Sequence, residues 1–321
     1  MNESPLVSVC MITYNHEQYV TEAIEGVLKQ NANFPFELVI GEDSSTDDTR
    51  KICEQYQKSN PHKIRLLPSN NNLGMIENLV RTYSVCRGKY IAICEGDDYW
   101  TNANKLQHQV RFLEDQPEYS ICAHNTSPYF QNRAELVEKK QEDIDYDSKD
   151  FILDNITGWK SCSIVFKNSS HMRNIITGEV FRNSACGDWL ISYAAASQGK
   201  MRCFGASMGV YRIHDAGAFA SKSWLDQFRM HSSAALAIDC LSKHEYQDAI
   251  IAYNVHRLFT EPVNKNGEFT ISIEELMTEY GKLENKKWRR IFTLWFIKSR
   301  LLRSFYFSHF PILFGNFDIS R

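Results

Sequence analysis

Tyr90-Ile91-Ala92-Ile93-Cys94-Glu95-Gly96-Asp97-Asp98-Tyr99-Trp100 is the stretch on which the reading of the chain turns. A short run of strand-forming apolar residues stops at three carboxylates within four positions, and two aromatics follow. Burying unpaired carboxylates is heavily penalised, so Glu95, Asp97 and Asp98 are expected just past the strand end, where positive charge can meet them. In open α/β sheets that edge is where ligands bind. A divalent cation held by one or two carboxylates, its shell completed by phosphate oxygens, fits such a mouth. A solvated acidic turn has the same composition, so the neighbouring segments must decide between the two.

Working outward, the segments on the N-terminal side repeat one pattern. Leu6 to Ile12 is a buried-strand run ended by Thr13-Tyr14-Asn15-His16. Tyr19, Val20, Ala23, Ile24, Val27 and Leu28 then recur at helical spacing, with Asn15 as the expected N-cap. Phe36 to Ile40 reads as a strand that ends at Gly41-Glu42-Asp43. Ser45-x-x-Asp48 reads as a capping box for a helix carrying Ile52 and Tyr56. Lys63 to Leu67 is a third strand, and Met75 to Cys86 a helix. Beyond the acidic stretch, Asn104 to Leu113 reads as helix and Tyr119 to Ala123 as strand. The alternation predicts an α/β fold, a mostly parallel sheet flanked by helices. The C-terminal ends of its strands share an edge, so Thr13-Tyr14-Asn15, Glu42-Asp43 and Glu95 to Asp98 can converge on one pocket.

Composition sets limits on this picture. The chain has 321 residues, 43% hydrophobic and 23% charged, with a formal net charge of −3. Nothing in that balance points to nucleic acid as a partner. Nine scattered cysteines without a C-x-x-C pair read as reduced thiols of a cytoplasmic protein. The N-terminus lacks the basic, apolar pattern of a secretory signal, and no apolar run reaches the roughly 18 residues of a membrane span.

Past Thr126 the periodicity weakens, and 131–150 reads as a charged surface excursion. Ser161 to Phe166 is expected as a strand, Cys186 to Tyr193 as a helix, and Met201 to Phe204 and Met208 to Ile213 as two strands. Helices are expected at Trp224 to Leu241, Tyr246 to Phe259 and Ile273 to Tyr280. We therefore expect a main domain over 1–220 and a helical C-terminal extension over 221–321. Lys286 to Arg303 carries seven basic residues and no acid, interleaved with aromatic and aliphatic residues. A basic, aromatic stretch over 286–317 fits either a peripheral contact with the inner face of the cell membrane or a helix docked on the main domain.

Four motifs in order, VSVCMITYN (Val7 to Asn15), ELVIGEDSSTDDT (Glu37 to Thr49), YIAICEGDDYW (Tyr90 to Trp100) and Gly187-Asp188-Trp189-Leu190, resemble the family-2 glycosyltransferases of GT-A fold. The resemblance implies an inverting, divalent-metal-dependent (Mn²⁺ or Mg²⁺) transfer of a sugar from a nucleotide-diphosphate sugar, UDP-linked by expectation. The acceptor it implies is a hydroxyl of a saccharide or lipid-linked saccharide, as in polysaccharide biosynthesis. It places Thr13, Tyr14, Asn15, Glu42 and Asp43 at the nucleotide, and Glu95-Gly96-Asp97 at the D-x-D position. Asp97, Glu95, Asp98 and the late histidine His214 are the implied metal ligands. Trp100, with Tyr99, is expected to wall the sugar pocket, and Asp188 to be the catalytic base. Glu95 stands where the family has Asp, and Gly187 where it often has Glu. Those departures leave a degenerate, sugar-binding or scaffolding domain as the alternative. A nucleotidyltransferase is disfavoured because Thr13-Tyr14-Asn15-His16 is not a Gly-rich phosphate loop.

Overall fold

Strand β1 (Val7–Thr13) is buried along its whole length, as a run of VSVCMIT between two helical layers requires. Val7, Val9 and Met11 face one core, and Cys10 and Ile12 face the other. Helix α1 (Val20–Leu28) follows, then β2 (Phe36–Glu42), α2 (Thr49–Ser59), β3 (Ile64–Leu66), α3 (Met75–Ser84) and β4 (Tyr90–Ile93). The chain then forms β5 (Tyr99–Trp100), α4 (Lys105–Asp115) and β6 (Tyr119–Phe130). The short β7 (Glu135–Leu136), β8 (Ile144–Tyr146) and α5 (Asp150–Leu153) come next. β9 (Val165–Lys167), α6 (Ser170–Ile176), α7 (Glu179–Arg182), α8 (Gly187–Ala196), β10 (Lys200–Ile213) and α9 (Trp224–Leu241) complete the order.

The computed structural model describes residues 4–137, 141–153, 159–219, 221–246 and 250. All of these lie in the first of two units into which the chain divides, 1–250 and 251–321. The stretch 286–317 and the helix expected at 273–280 lie outside the described residues, as does nearly all of the one expected at 246–259. Helix α9, just beyond the boundary expected at residue 220, places Ala234, Ala235 and Ile238 in the same core as Leu190 and Ile191 of α8.

The strands form one sheet in the order β3-β2-β1-β4-β9-β6-β10-β5. β3, β2, β1 and β4 are mutually parallel. β4 and β6 are both antiparallel to β9, so they share a direction, and β10 is parallel to β6. The mostly parallel sheet expected from the sequence is therefore present, with β9 inserted against its grain. Two cores cover its faces. One packs Val80 and Tyr83 of α3 and Leu190 of α8 against Ile91 and Phe166. The other packs Val20 and Ile24 of α1 and Leu106 of α4 against Val9, Leu38 and Ala92.

Several local expectations differ from the structure. Asn15 does not cap α1, whose N-cap is Tyr19 without a side-chain bond. Ser45 does not cap α2; the Asp47 carboxylate accepts the Thr49 N–H instead. The polar residues of both turns are engaged across the gap between them, and that contact outcompetes local capping. Ser161–Ser163 is a 3₁₀ turn before β9. The two strands expected between Met201 and Ile213 are one bent strand, β10, with register shifts around Phe204, Ser207 and Gly209. Its partner β6 runs on to Phe130, well past the expected end at Ala123.

Candidate active site

Three strand ends meet at one edge of the sheet. The turn after β1 and the loop after β2 are laced together. The Asn15 N–H donates to Ser45 Oγ at 2.9 Å, and Asn15 Oδ1 accepts the Thr46 N–H at 2.8 Å. The His16 N–H donates to Thr49 Oγ1 at 2.8 Å, and the Glu17 N–H to the Asp47 carboxylate at 3.0 Å. Asn15 and Ser44 sit at positive φ (54° and 58°), the left-handed region that Asn tolerates better than most residues. The turn is thus a fixed platform that holds the His16 ring over the sheet edge.

The acidic segment 95–98 leaves the centre of the sheet at β4 and crosses to β5, which pairs antiparallel with β10. Gly96 N–H donates to Ile12 O at 2.9 Å, holding the segment against β1. A Cβ on Gly96 would lie 2.3 Å from Thr13 Oγ1, so only glycine fits this approach. On the other side Arg212 of β10 holds the segment. Its backbone N–H donates to Asp98 Oδ1 at 2.9 Å, and its Nε to Asp97 O at 2.9 Å. The buried guanidinium also donates to Glu22 Oε2 at 2.6 Å and is ringed by Tyr19, Tyr99 and Tyr129. Such aromatic faces favour a desolvated cation.

The three carboxylates have different environments. Asp97 is part-exposed. Its Oδ2 lies 3.2 Å from His214 Nε2 and 3.7 Å from His16 Nε2. Burial pushes its pKa up, but the His214 hydrogen bond and the two imidazoles together hold it below the usual carboxylate value. Glu95 accepts a hydrogen bond from the Ser161 hydroxyl. Burial, then the Asp97 charge, with a smaller contribution from Asp188, raises it to about 8. Asp98 is 1% exposed, turned inward to the Arg212 N–H, and burial raises it well above the ordinary range.

Asp188 lies in the first turn of α8 and accepts the Trp189 N–H. Burial raises its pKa, while the Lys160 charge pulls it down. Its charge adds to the upward shift of Glu95.

Other residues expected at the site fall as follows. Thr13 is buried, with Oγ1 3.2 Å from His16 Nδ1, and Tyr14 is exposed. Asp43 is buried; its two carboxylate oxygens accept the Leu73 and Gly74 N–H groups at 2.9 Å each and so shape the loop after β3. Glu42 is buried, accepts the Ser45 N–H and faces Arg50 at 3.7 Å. Trp100 is 4% exposed and belongs to the core. Its Nε1 donates to Cys162 O, and Lys105 lies over its ring, which leaves Tyr99 as the aromatic nearer the mouth. His16, Arg212 and Ser161 were not assigned from sequence. His16 had one signal, its place three residues after Thr13 at the strand end. Arg212 and Ser161 had none, because only the fold brings them to residues 95–98.

Among the described residues two groups are close enough to share one metal ion: His16, Asp97 and His214, and Glu95, Asp97 and Asp98. Both contain Asp97, so the residues present fit a divalent cation at that carboxylate.

Comparison with known proteins agrees with this architecture. A protein of Mycobacterium tuberculosis, itself described as uncharacterized, is 31% identical over 261 residues, covering 76% of this chain and 71% of its own. Staphylococcus aureus TarS in complex with UDP superposes with a TM-score of 0.60 at 17% identity, over 85% of this chain and 77% of TarS. The mannosyltransferase PcManGT from Pyrobaculum calidifontis, in complex with GDP-Man and Mn²⁺, superposes with a TM-score of 0.53 at 15% identity, over 91% and 84%. These likenesses establish the GT-A fold. The sequence profile described as Glycosyl transferase family 2 matches residues 8–176, from β1 through the acidic segment to the end of α6. With that match spanning the three convergent strand ends, the chain belongs to glycosyl transferase family 2 and is a nucleotide-sugar glycosyltransferase.

Proposed function

We propose that this enzyme is inverting and metal-dependent, moving a sugar from a UDP-sugar to a hydroxyl of a saccharide or lipid-linked saccharide. What supports the reading is the gathering of Glu95, Asp97 and Asp98 at the sheet edge where the strand ends meet, in a group close enough to share one cation, with the Asp188 charge felt at Glu95. Asp97 would hold the divalent cation, which when bound offsets charge developing on the diphosphate leaving group. Asp188, raised by burial, accepts the proton of the attacking hydroxyl. Thr13 to Asn15 and Asp43 shape the nucleotide side, and Tyr99 lines the sugar side. A UDP donor is supported by the UDP and UDP-GlcNAc complexes of TarS. The stretch 286–317 would bring the enzyme to the cytoplasmic membrane face where a lipid-linked acceptor resides.

The test is donor turnover by purified protein across UDP- and GDP-sugars, with Mn²⁺, Mg²⁺ or EDTA, for the native chain and Asp188→Asn. A UDP-sugar is expected to turn over only with metal. Asp188→Asn is expected to lower kcat on the order of 10²–10⁴-fold, the usual contribution of a positioned base, without weakening donor binding. Native turnover by Asp188→Asn would remove it as the base.

A further inference from the structure

We propose that Lys160, seated on the Tyr211 ring, is an anion subsite that selects an acceptor saccharide bearing a carboxylate or phosphate near its reacting hydroxyl. The inference rests on the reading of Asp188 as the base and adds the charge class of the acceptor. Two separate elements bring the pair to the acidic segment. Lys160 immediately precedes Ser161, whose hydroxyl donates to Glu95. Tyr211 immediately precedes Arg212, whose N–H donates to Asp98 Oδ1 at 2.9 Å. The two side chains meet there, with Lys160 Nζ 5.1 Å from the centre of the Tyr211 ring.

Strand alternation decides which side of the sheet the pair faces. The Arg212 and His214 side chains both turn toward Tyr19, the N-cap residue of α1. Successive side chains of a strand point to opposite faces, so Tyr211 turns to the face covered by α8, the helix that carries Asp188. The Lys160 charge is felt at Asp188, in keeping with that face. Lys160 also differs from the other cations near the strand ends. Arg212 is bound to Asp97 O and Glu22, Arg50 to Glu54, and Arg81 to Pro68 O and Glu42 O. Lys160 is exposed, and no carboxylate of the described residues lies within 4.0 Å of its Nζ. Its backbone is nonetheless fixed, because Lys160 O accepts both the N–H and the hydroxyl of Ser163. An ammonium held on an aromatic face, without an acidic partner among the described residues, fits the oxygens of a carboxylate or phosphate.

The test uses the full chain saturated with UDP and MnCl₂, and ligand-observed NMR titrations of p-nitrophenyl β-glucoside, the matching β-glucuronide and the glucoside 6-phosphate. The glucuronide, the phosphate or both are expected to bind about 10-fold more tightly than the neutral glucoside, the lower end for a hydrogen bond to a charged group. Whichever does so identifies the anion. Lys160→Gln should abolish the preference, Lys160→Arg should keep it, and Tyr211→Leu should weaken it by releasing the cation from its seat. Charged glycosides bound no more tightly than the neutral one by the native chain overturn the subsite, and this comparison needs no variant to fold. A preference that survives Lys160→Gln, with circular dichroism unchanged, overturns it too. Weakened UDP binding in Lys160→Gln with glycoside binding unaltered does the same and gives Lys160 to the donor diphosphate. The base reading fails separately: native turnover by Asp188→Asn removes the base, whereas the preference among the probes is read by binding alone.

Discussion

The two halves of the sheet hold their polar residues in different ways. In the half made of β1 to β4, the groups at the strand ends are satisfied by neighbouring loops of consecutive strand–helix units. Asp43 accepts N–H groups from residues 73 and 74, Glu42 accepts that of Ser45, and the turn after β1 is tied to the loop after β2. In the half made of β9, β6, β10 and β5, the partners come from far along the chain. Ser161 reaches Glu95, Arg212 reaches Asp97 and Asp98, and His214 reaches Asp97. The first half builds a cradle from local rules; the acidic segment is poised by tertiary contacts. Chemistry should therefore be more sensitive to changes at residues 95–98 and their distant partners, and binding more sensitive to changes in the local loops.

The largest expected contrast is between two aspartates. Asp97→Asn should lower kcat on the order of 10²–10³-fold, the scale of losing one preorganised electrostatic group. Asp43→Asn should chiefly raise the donor KM, because it loosens the loop at 73–74 and leaves the acidic segment intact. Steady-state kinetics of both variants check this, and equal kcat losses would erase the distinction between the halves.

Next in size is Arg212→Leu. It removes hydrogen bonds from a buried guanidinium to Asp97 O and Glu22 and strips the cation from its aromatic ring. Charge-assisted bonds contribute about 1.5–3 kcal/mol each. Glu22 is more than half exposed, which discounts its share. A loss of about 3 kcal/mol in urea unfolding is expected, together with weakened activity. Arg212→Lys should not restore it, since a single ammonium cannot reproduce the fork.

A smaller effect is expected of Gly96→Ala. The new methyl meets Thr13 Oγ1 and Cβ, at 2.3 and 2.6 Å from its ideal position. Overpacking of this kind typically costs about 1–3 kcal/mol. The strain falls between His16 and Asp97, so activity should drop further than thermal stability alone explains. Thermal melts read beside kinetics separate the two contributions.

The same contrast explains what the sequence revealed. β1, β2 and β4 were legible because each is an apolar run closed by a polar or acidic turn, and those ends share one edge. β6 and β10 were cut short or divided because they carry Asn125, Thr126, Ser127, Gly205 and Ser207, polar or flexible residues that ordinarily mark loops. Here Ser127 and Ser207 meet each other across the pair, so the ladder continues. Trp100 looked like a pocket wall from its place beside the acids, yet β5 turns it into the core. His16 was missed because ligand spacing along the chain says nothing about two turns that only the sheet brings together.

Lys105 offers the smallest effect and a clean sign. It is fully buried among Cys94, Cys122 and Cys162, its Nζ lies 4.0 Å from the centre of the Trp100 ring, and that Nζ has no hydrogen-bond partner among the described residues. Burial lowers its pKa from 10.5 to about 8. Below pH 8 both folded and unfolded chains carry the proton, so the folded state bears the full desolvation penalty. Between about 8 and 10.5 the unfolded chain binds more proton than the folded one, and stability contributed by this residue rises with pH. At about 1.36 kcal/mol per pH unit the penalty is on the order of 3 kcal/mol, of which a methionine, shorter than lysine and leaving part of the site unfilled, recovers only a part. Lys105→Met should therefore raise stability at pH 7 by about 1 kcal/mol, or roughly 2–4 °C in Tm for a domain of this size. The gain should shrink toward pH 10.5 as the native lysine loses its proton in both states. Melting curves of the two proteins from pH 7 to 10.5 check both sign and slope. A pH-independent gap between them would mean that Lys105 stays charged in the core throughout this range.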